Sequence, residues 1–249
     1  MKSAQGVCSV KDRIILALDV PALDDAIDLV RSTKDFIGMY KVGMELFYSA
    51  GSDAVNAIVN EGVPVFLDLK LHDIPETVER TSRVLASMGV DMFNVHCMGG
   101  MRMMRAAAGA IESQHGEKCV KVLGVTMLTS LTEDEISREL GIRGTIHERV
   151  TALARQAKES GLDGVIASPH EIVAIKQACG DEFLVVTPGV RPVGAAADDQ
   201  RRIMTPAQAI RNGADYIVIG RPITRSSHPR SAAQSLLSEI MRELEEFEC

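Results

Sequence analysis

The sequence lacks the features that would place it in several specialised classes. No uninterrupted apolar run approaches the roughly 18 residues of a membrane-spanning helix, so no membrane insertion is expected. Residues 1–11 carry no apolar stretch of the signal-peptide kind and read as a polar lead-in. None of the five cysteines, Cys8, Cys97, Cys119, Cys179 and Cys249, forms a CxxC pair, and their odd number suits reduced thiols in a cytosolic protein. There is no HExxH and no clustered Cys/His pattern, so no metal site is expected. Positive charge is in deficit: 27 Lys plus Arg against 34 Asp plus Glu give a net charge of −7. That balance argues against a nucleic-acid-binding surface and leaves room for a local anion site.

No low-complexity linker or domain boundary interrupts the chain, so residues 1–249 are expected to form a single domain. Apolar residues make up 46 % and charged residues 24 %, an ordinary globular composition. Short apolar runs alternate with amphipathic stretches throughout. Strands are expected at 13–19, 37–43, 64–70, 91–96, 119–126, 163–167, 183–187 and 215–219. Helices are expected near 22–32, 50–60, 75–88, 100–114, 146–159, 170–178, 206–211 and 230–247. Eight β–α units in about 250 residues predict a closed (β/α)8 TIM barrel. Gly62-Val63, Gly89-Val90-Asp91, Gly161-Leu162-Asp163 and Gly213-Ala214-Asp215 mark recurring joints from helix to strand. Two longer loops, 128–145 and 188–205, both follow strands and belong at the C-terminal mouth, where barrel active sites lie. Thr132 to Glu135 reads as the capping box of a small helix in the first.

The charges at the strand ends stand out. On the third strand, Val65, Leu67, Leu69 and Leu71 alternate with Phe66, Asp68 and Lys70. Alternation sends the aliphatic set toward the helices and the other set into the barrel. The first strand repeats the pattern with Ile15, Ala17 and Asp19, and the second with Ile37, Met39 and Lys41. Each charge comes last, where the mouth would be. Asp73, with Glu76 three residues on, reads equally as a helix N-cap or as a catalytic carboxylate. A lysine held among carboxylates stays protonated, and as an ammonium it can act as a general acid toward a carbanion. A desolvated neutral lysine would suggest Schiff-base chemistry, and the adjacent Asp68 favours the ammonium.

The eighth strand runs into Gly220-Arg221-Pro222-Ile223. Loops after strands seven and eight of barrels often hold a phosphate. Gly220 permits close backbone approach and Arg221 supplies a charged fork. Arg191 and Gln200, in the loop after strand seven, are placed to add a second cation and to close over the ligand. His72 is expected to pack, His96 stands at the mouth, and Met92, Met98, Met101, Met103 and Met104 read as core or interface filler.

The segment Asp68-Leu69-Lys70-Leu71-His72-Asp73-Ile74-Pro75-Glu76-Thr77-Val78 resembles the signature of the orotidine 5′-phosphate decarboxylase family, in its bacterial form without an appended transferase domain. Asp19, Lys41, 126–130, 187–191, 199–202 and 220–223 follow that family's segments in order, and the resemblance spans roughly residues 12–242. It implies cofactor-independent conversion of orotidine 5′-phosphate to uridine 5′-phosphate and CO2 in pyrimidine nucleotide synthesis. Lys70 matches the family's proton donor, and Asp68 the carboxylate near the substrate carboxylate. Lys41 and Asp73 complete an alternating Lys-Asp-Lys-Asp network. Asp19 and Lys41 are implied to contact the ribose, Thr129 the pyrimidine, and Arg191, Gln200, Gly220 and Arg221 the phosphate. The family is a homodimer, which implies that Asp73, Ile74 and Thr77 reach the partner's site. The nearest rival, a Mg²⁺-dependent ketogulonate-phosphate decarboxylase or hexulose-phosphate synthase, has an acidic magnesium ligand where this chain has Lys41, and a cation there would repel the metal. A Schiff-base aldolase with Lys70 as nucleophile and a non-catalytic phosphate-binding barrel also stay open at this point.

Overall fold

Neighbouring residues on a strand face opposite ways, and the apolar side chains of this chain separate accordingly into two packed sets. The computed structural model describes residues 9–113, 120–191 and 204–246. Its strands are β1 (Ile14–Ala17), β2 (Met39–Gly43), β3 (Val65–Leu71), β4 (Met92–His96), β5 (Lys121–Val125), β6 (Gly164–Ile166), β7 (Leu184–Pro188) and β8 (Tyr216–Ile219). Each pairs in parallel with the next, and β8 pairs with β1 to close the barrel. Ile15, Met39, Phe66, Met92, Leu123, Val125, Ile166 and Val186 fill the interior. The alternate residues, Ile14, Leu16, Val65, Leu67, Phe93 and Val185 among them, pack outward against the helices. Ile37 differs from expectation: β2 begins only at Met39, and Ile37 belongs to the outer set.

The surrounding layer holds α1 (Leu23–Thr33), α2 (Met44–Ala50), α3 (Ser52–Asn60), α4 (Pro75–Ser87), α5 (Gly100–Glu112), α6 (Ile146–Glu159), α7 (Ile172–Cys179), α8 (Pro206–Arg211), α9 (Arg221–Thr224) and α10 (Pro229–Glu245). The helix expected over 50–60 is α3, and a further helix that was not expected, α2, precedes it and meets it at Gly51 with φ +63°. The expected small helix after β5 ends in a π turn at Glu135–Glu139, and its capping pair is present: Glu135 accepts from the Thr132 N–H at 2.7 Å, and Thr132 Oγ1 accepts from the Glu135 N–H at 3.3 Å. Met103 and Met104 are buried in the outer layer, whereas Met98 is exposed. Cys97 and Cys179 are buried free thiols, and burial pushes Cys97 up to about 12. Among the described residues no helix is long and apolar enough to cross a membrane.

The recurring joints tie the N-terminal end of the barrel. Gly89, Gly161 and Gly213 all adopt positive φ, as a left-handed helix end requires. The aspartate two residues on then accepts a backbone N–H from the preceding strand. Asp91 takes that of Val65 at 2.8 Å, Asp163 that of Val122 at 2.7 Å and Asp215 that of Val185 at 2.7 Å. In each case the aspartate's own N–H returns a bond to the same valine's carbonyl. These joints hold every second strand and leave the opposite mouth free for other chemistry.

Candidate active site

At the mouth, strand register brings four charges into one chain of contacts. Ala17 pairs with Lys41, and Gly43 pairs with Asp68, so the ends of β1, β2 and β3 lie side by side. Lys41 Nζ stands 3.0 Å from Asp19 Oδ1 and 3.3 Å from Asp68 Oδ2. Lys70 Nζ donates to Asp68 Oδ1 at 2.6 Å. Asp68 is thus clamped between two ammonium groups. Lys41 and Asp68 are both buried, Asp19 is more than half exposed, and Lys70 retains 28 % of its side-chain exposure. Burial alone would raise the Asp68 carboxyl, but Lys41 and Lys70 outweigh it and hold Asp68 below the ordinary carboxylate range. Burial likewise pulls the Lys41 ammonium down, and Asp68 and Asp19 reverse that effect so that the net direction is up.

Lys41, Asp68, Lys70 and Thr129 line one cavity of about 220 Å³. Phe66, Val125, Ile166 and Val218 contribute its apolar wall. A charged edge facing an apolar wall suits a flat ring that carries a charged substituent. Gly220 adjoins this region: a Cβ there would sit 3.9 Å from Asp19 Oδ2. Arg221 opens α9 immediately after it. Arg191 is buried at the end of β7, its N–H donating to the Met204 carbonyl at 3.1 Å. Gln200 lies outside the described residues.

Asp73, Ile74 and Thr77 do not line the cavity; all three are exposed, Ile74 at 65 %. Of the two readings of Asp73, the N-cap does not form. The residue before a proline is biased toward extended backbone, so Ile74, preceding Pro75, becomes the N-cap, with ψ 150° and no side-chain capping bond. Asp73 is left one position early, accepting the Ile74 N–H at 2.6 Å, and Glu76 pairs with Arg80. His72 and His96 stack with ring centroids 5.3 Å apart. Burial, then His72 and Lys70, lower the His96 pKa, and His96 Nδ1 accepts the Met98 N–H at 3.3 Å.

Two residues that sequence reasoning missed shape the cluster. Asn94, fully buried on β4, accepts the Lys70 N–H at 2.7 Å and donates to Asp68 Oδ1 at 2.7 Å. A lone amide between Met92 and His96 on an inward strand face was the signal that could have found it. Gly43 makes room for the ions: a Cβ there would lie 2.9 Å from Lys41 Nζ and 3.1 Å from Asp19 Oδ1.

The similarity to known proteins covers the same extent as the barrel. The profile of the orotidine 5′-phosphate decarboxylase / HUMPS family matches residues 12–236. The orotidine 5′-phosphate decarboxylase of Moorella thermoacetica is 49 % identical over 233 residues, covering 92 % of each chain. That of Trichlorobacter lovleyi is 49 % identical over 232 residues, covering 93 % of this chain and 96 % of its own. The crystal structure of the Lactobacillus acidophilus orotidine 5′-phosphate decarboxylase superposes with a TM-score of 0.80 at 38 % identity, over 91 % of this chain and 98 % of that one. With near-complete coverage on both sides, the chain belongs to the orotidine 5′-phosphate decarboxylase / HUMPS family.

Proposed function

We propose that Lys70 protonates C6 of the pyrimidine as this chain decarboxylates orotidine 5′-phosphate to uridine 5′-phosphate and CO2 in pyrimidine nucleotide synthesis. The C6–carboxylate bond breaks, its electron pair remains on C6, and CO2 leaves. That pair takes a proton from the Lys70 ammonium, and solvent returns a proton to Lys70. The observation that carries this reading is Asp68, buried and ion-paired to two lysines on the wall of one cavity. Its negative charge pairs with the Lys70 ammonium and stands against the substrate carboxylate, while Lys41 and Lys70 favour the charge that develops at C6. Asp19 and Lys41 contact the ribose, and Thr129 the pyrimidine. Arg191, Gln200, Gly220 and Arg221 hold the phosphate, whose binding energy helps organise the site.

The enzyme works in this reading without metal or organic cofactor, as a cytoplasmic homodimer. Asp73, Ile74 and Thr77, exposed and away from their own cavity, complete the partner's site. Mixing Lys70→Ala with Asp73→Ala subunits should then restore about a quarter of the native activity, since random pairing gives half heterodimers with one intact site each. No recovery after verified subunit exchange removes the shared site. A Mg²⁺-dependent sugar-phosphate lyase would need a cation beside Lys41, whose ammonium already sits between Asp19 and Asp68. Ultraviolet monitoring of orotidine 5′-phosphate with purified protein in EDTA tests the activity. Turnover undiminished by chelation is expected. Turnover lost in EDTA and regained with Mg²⁺ would favour the lyase, and binding without turnover a non-catalytic barrel.

A further inference from the structure

The backbone at Lys70 is unusual. Lys70 has φ +54°, the only positive φ at a non-glycine position among the described residues. A long, non-glycine side chain meets a steric penalty in that region, and such a conformation persists only when its surroundings impose it. The β3–β4 ladder breaks at the same place. Pairing runs from Leu67↔Phe93 to Leu71↔Val95, so four residue steps on β3 face two on β4. The ladder therefore does not supply a regular partner for the Lys70 N–H, and Asn94, midway along the β4 side of the gap, supplies it from its side chain.

Asn94 has only one orientation that serves both neighbours. The Lys70 N–H is a donor and must meet the amide oxygen. The amide nitrogen is then directed at the Asp68 carboxylate, 2.7 Å away. The oxygen it reaches, Oδ1, is the one that accepts the Lys70 ammonium. A single buried side chain thereby fixes the backbone from which Lys70 departs and the carboxylate on which its ammonium rests. With regular strand geometry, the Lys70 side chain would leave the backbone in a different direction.

We propose that Asn94 is a positioning residue for proton delivery: it locks the left-handed bulge at Lys70 and aligns the Asp68–Lys70 pair in the cavity. This rests on the reading of Lys70 as proton donor. Asn94 is bonded to neither the phosphate-binding residues nor Asp19, so its effect should fall on the chemical step and leave nucleotide affinity nearly unchanged.

Asn94→Ala removes both bonds. It should lower kcat about 100-fold, the scale expected for misplacing a reacting group by about 1 Å, while the Kd for uridine 5′-phosphate stays within about threefold. Asn94→Asp is isosteric and guards against an unfolded alanine variant. It keeps an acceptor for the Lys70 N–H but sets a second carboxylate against Asp68, and like charges so close cannot both ionise readily. The kcat of this variant should recover toward acid pH, where the introduced carboxyl is protonated and donates to Asp68 as the amide does. A filler role would give no such limb in the kcat profile. Folded variants with kcat within threefold of native at every pH overturn the proposal, as does parallel loss of kcat and nucleotide affinity. Lys70→Ala separates the two readings. If it abolishes turnover while the Asn94 variants keep theirs, only the role of Asn94 falls; if it remains active, the proton-donor reading falls.

Discussion

The two ends of the barrel use aspartate differently. At the N-terminal end, Asp91, Asp163 and Asp215 repeat one arrangement, each accepting the N–H of a valine in the preceding strand, and Asp215 also receives the Lys176 ammonium at 2.8 Å. At the C-terminal mouth, Asp19 and Asp68 follow no repeat and face lysine ammonium groups. A bond to backbone fixes the strand end on which it is made. Carboxylates and ammonium ions clustered on a cavity wall interact with any charge that enters or forms there. Repetition therefore marks the stabilising end of the fold, and departure from repetition marks the reactive end.

Lys70→Ala should produce the largest contrast. If Lys70 is the proton donor proposed above, kcat should fall on the order of 10³-fold. Lys41 still balances Asp68, so circular dichroism and thermal unfolding should report an intact barrel. Normal kcat in a folded Lys70→Ala protein would erase the distinction between the two ends.

Asp68→Asn comes next and acts on both function and stability. It leaves Lys41 buried with Asp19 as its remaining carboxylate, a situation that costs about 3 kcal/mol in buried pairs. Its pH signature has a definite sign. The folded-state pKa of Asp68 lies below the ordinary 3.8, so its stabilisation is present above pH 3.8 and is lost as pH falls through the folded value. Lys41 is raised above 10.5, so its share is complete below that pH and disappears as pH rises through the folded value. Urea unfolding against pH should show a shallower acid limb in Asp68→Asn than in the native chain. An unchanged acid limb would mean that Asp68 gains nothing from its partners.

The legibility of the sequence divides along the same line. A charge closing an alternating apolar strand has no place in the interior of a barrel, so Asp19, Lys41, Asp68 and Lys70 are visible from strand patterns alone. The eight strands are visible for the same reason, through their alternation with amphipathic stretches. What escapes depends on contacts across the sheet. The bulge at Lys70 requires Asn94, which is 24 residues away in sequence. The duty of Asp91 is owed to Val65, 26 residues away. Gly89-Val90-Asp91 shows that a helix ends, but not what its carboxylate then holds. Asp73 misleads by a purely local rule, because Pro75 moves the cap to Ile74.

Gly43 offers a finer test, because its contribution is the absence of an atom. Its φ of −90° suits any residue, so alanine brings no backbone strain. The added methyl would press on Lys41 Nζ at 2.9 Å, the far end of a flexible side chain. Gly43→Ala should therefore fold with nearly native stability and lose about tenfold in kcat/KM as Lys41 shifts from Asp19 and Asp68. Gly164, at the start of β6, is the control: a Cβ there would lie 2.3 Å from the Leu184 carbonyl oxygen, where backbone must move. Gly164→Ala should lower Tm instead. Equal effects of the two substitutions on Tm would contradict the division.

The smallest effect belongs to Asp163→Asn, the same chemical change as Asp68→Asn made at the other end. Asparagine retains an oxygen for the Val122 N–H, so the bond survives and only its charge assistance is lost, about 1 kcal/mol. The Asp163 carboxylate holds the backbone of Val122, and the reactive cluster lies at the opposite end of the strands. Urea unfolding should detect the loss, while kcat and KM remain within twofold of native. If Asp163→Asn instead altered kcat as much as Asp68→Asn, the barrel would be transmitting charge along its whole length, and a backbone N–H as partner would no longer distinguish a structural carboxylate from one that faces the cavity.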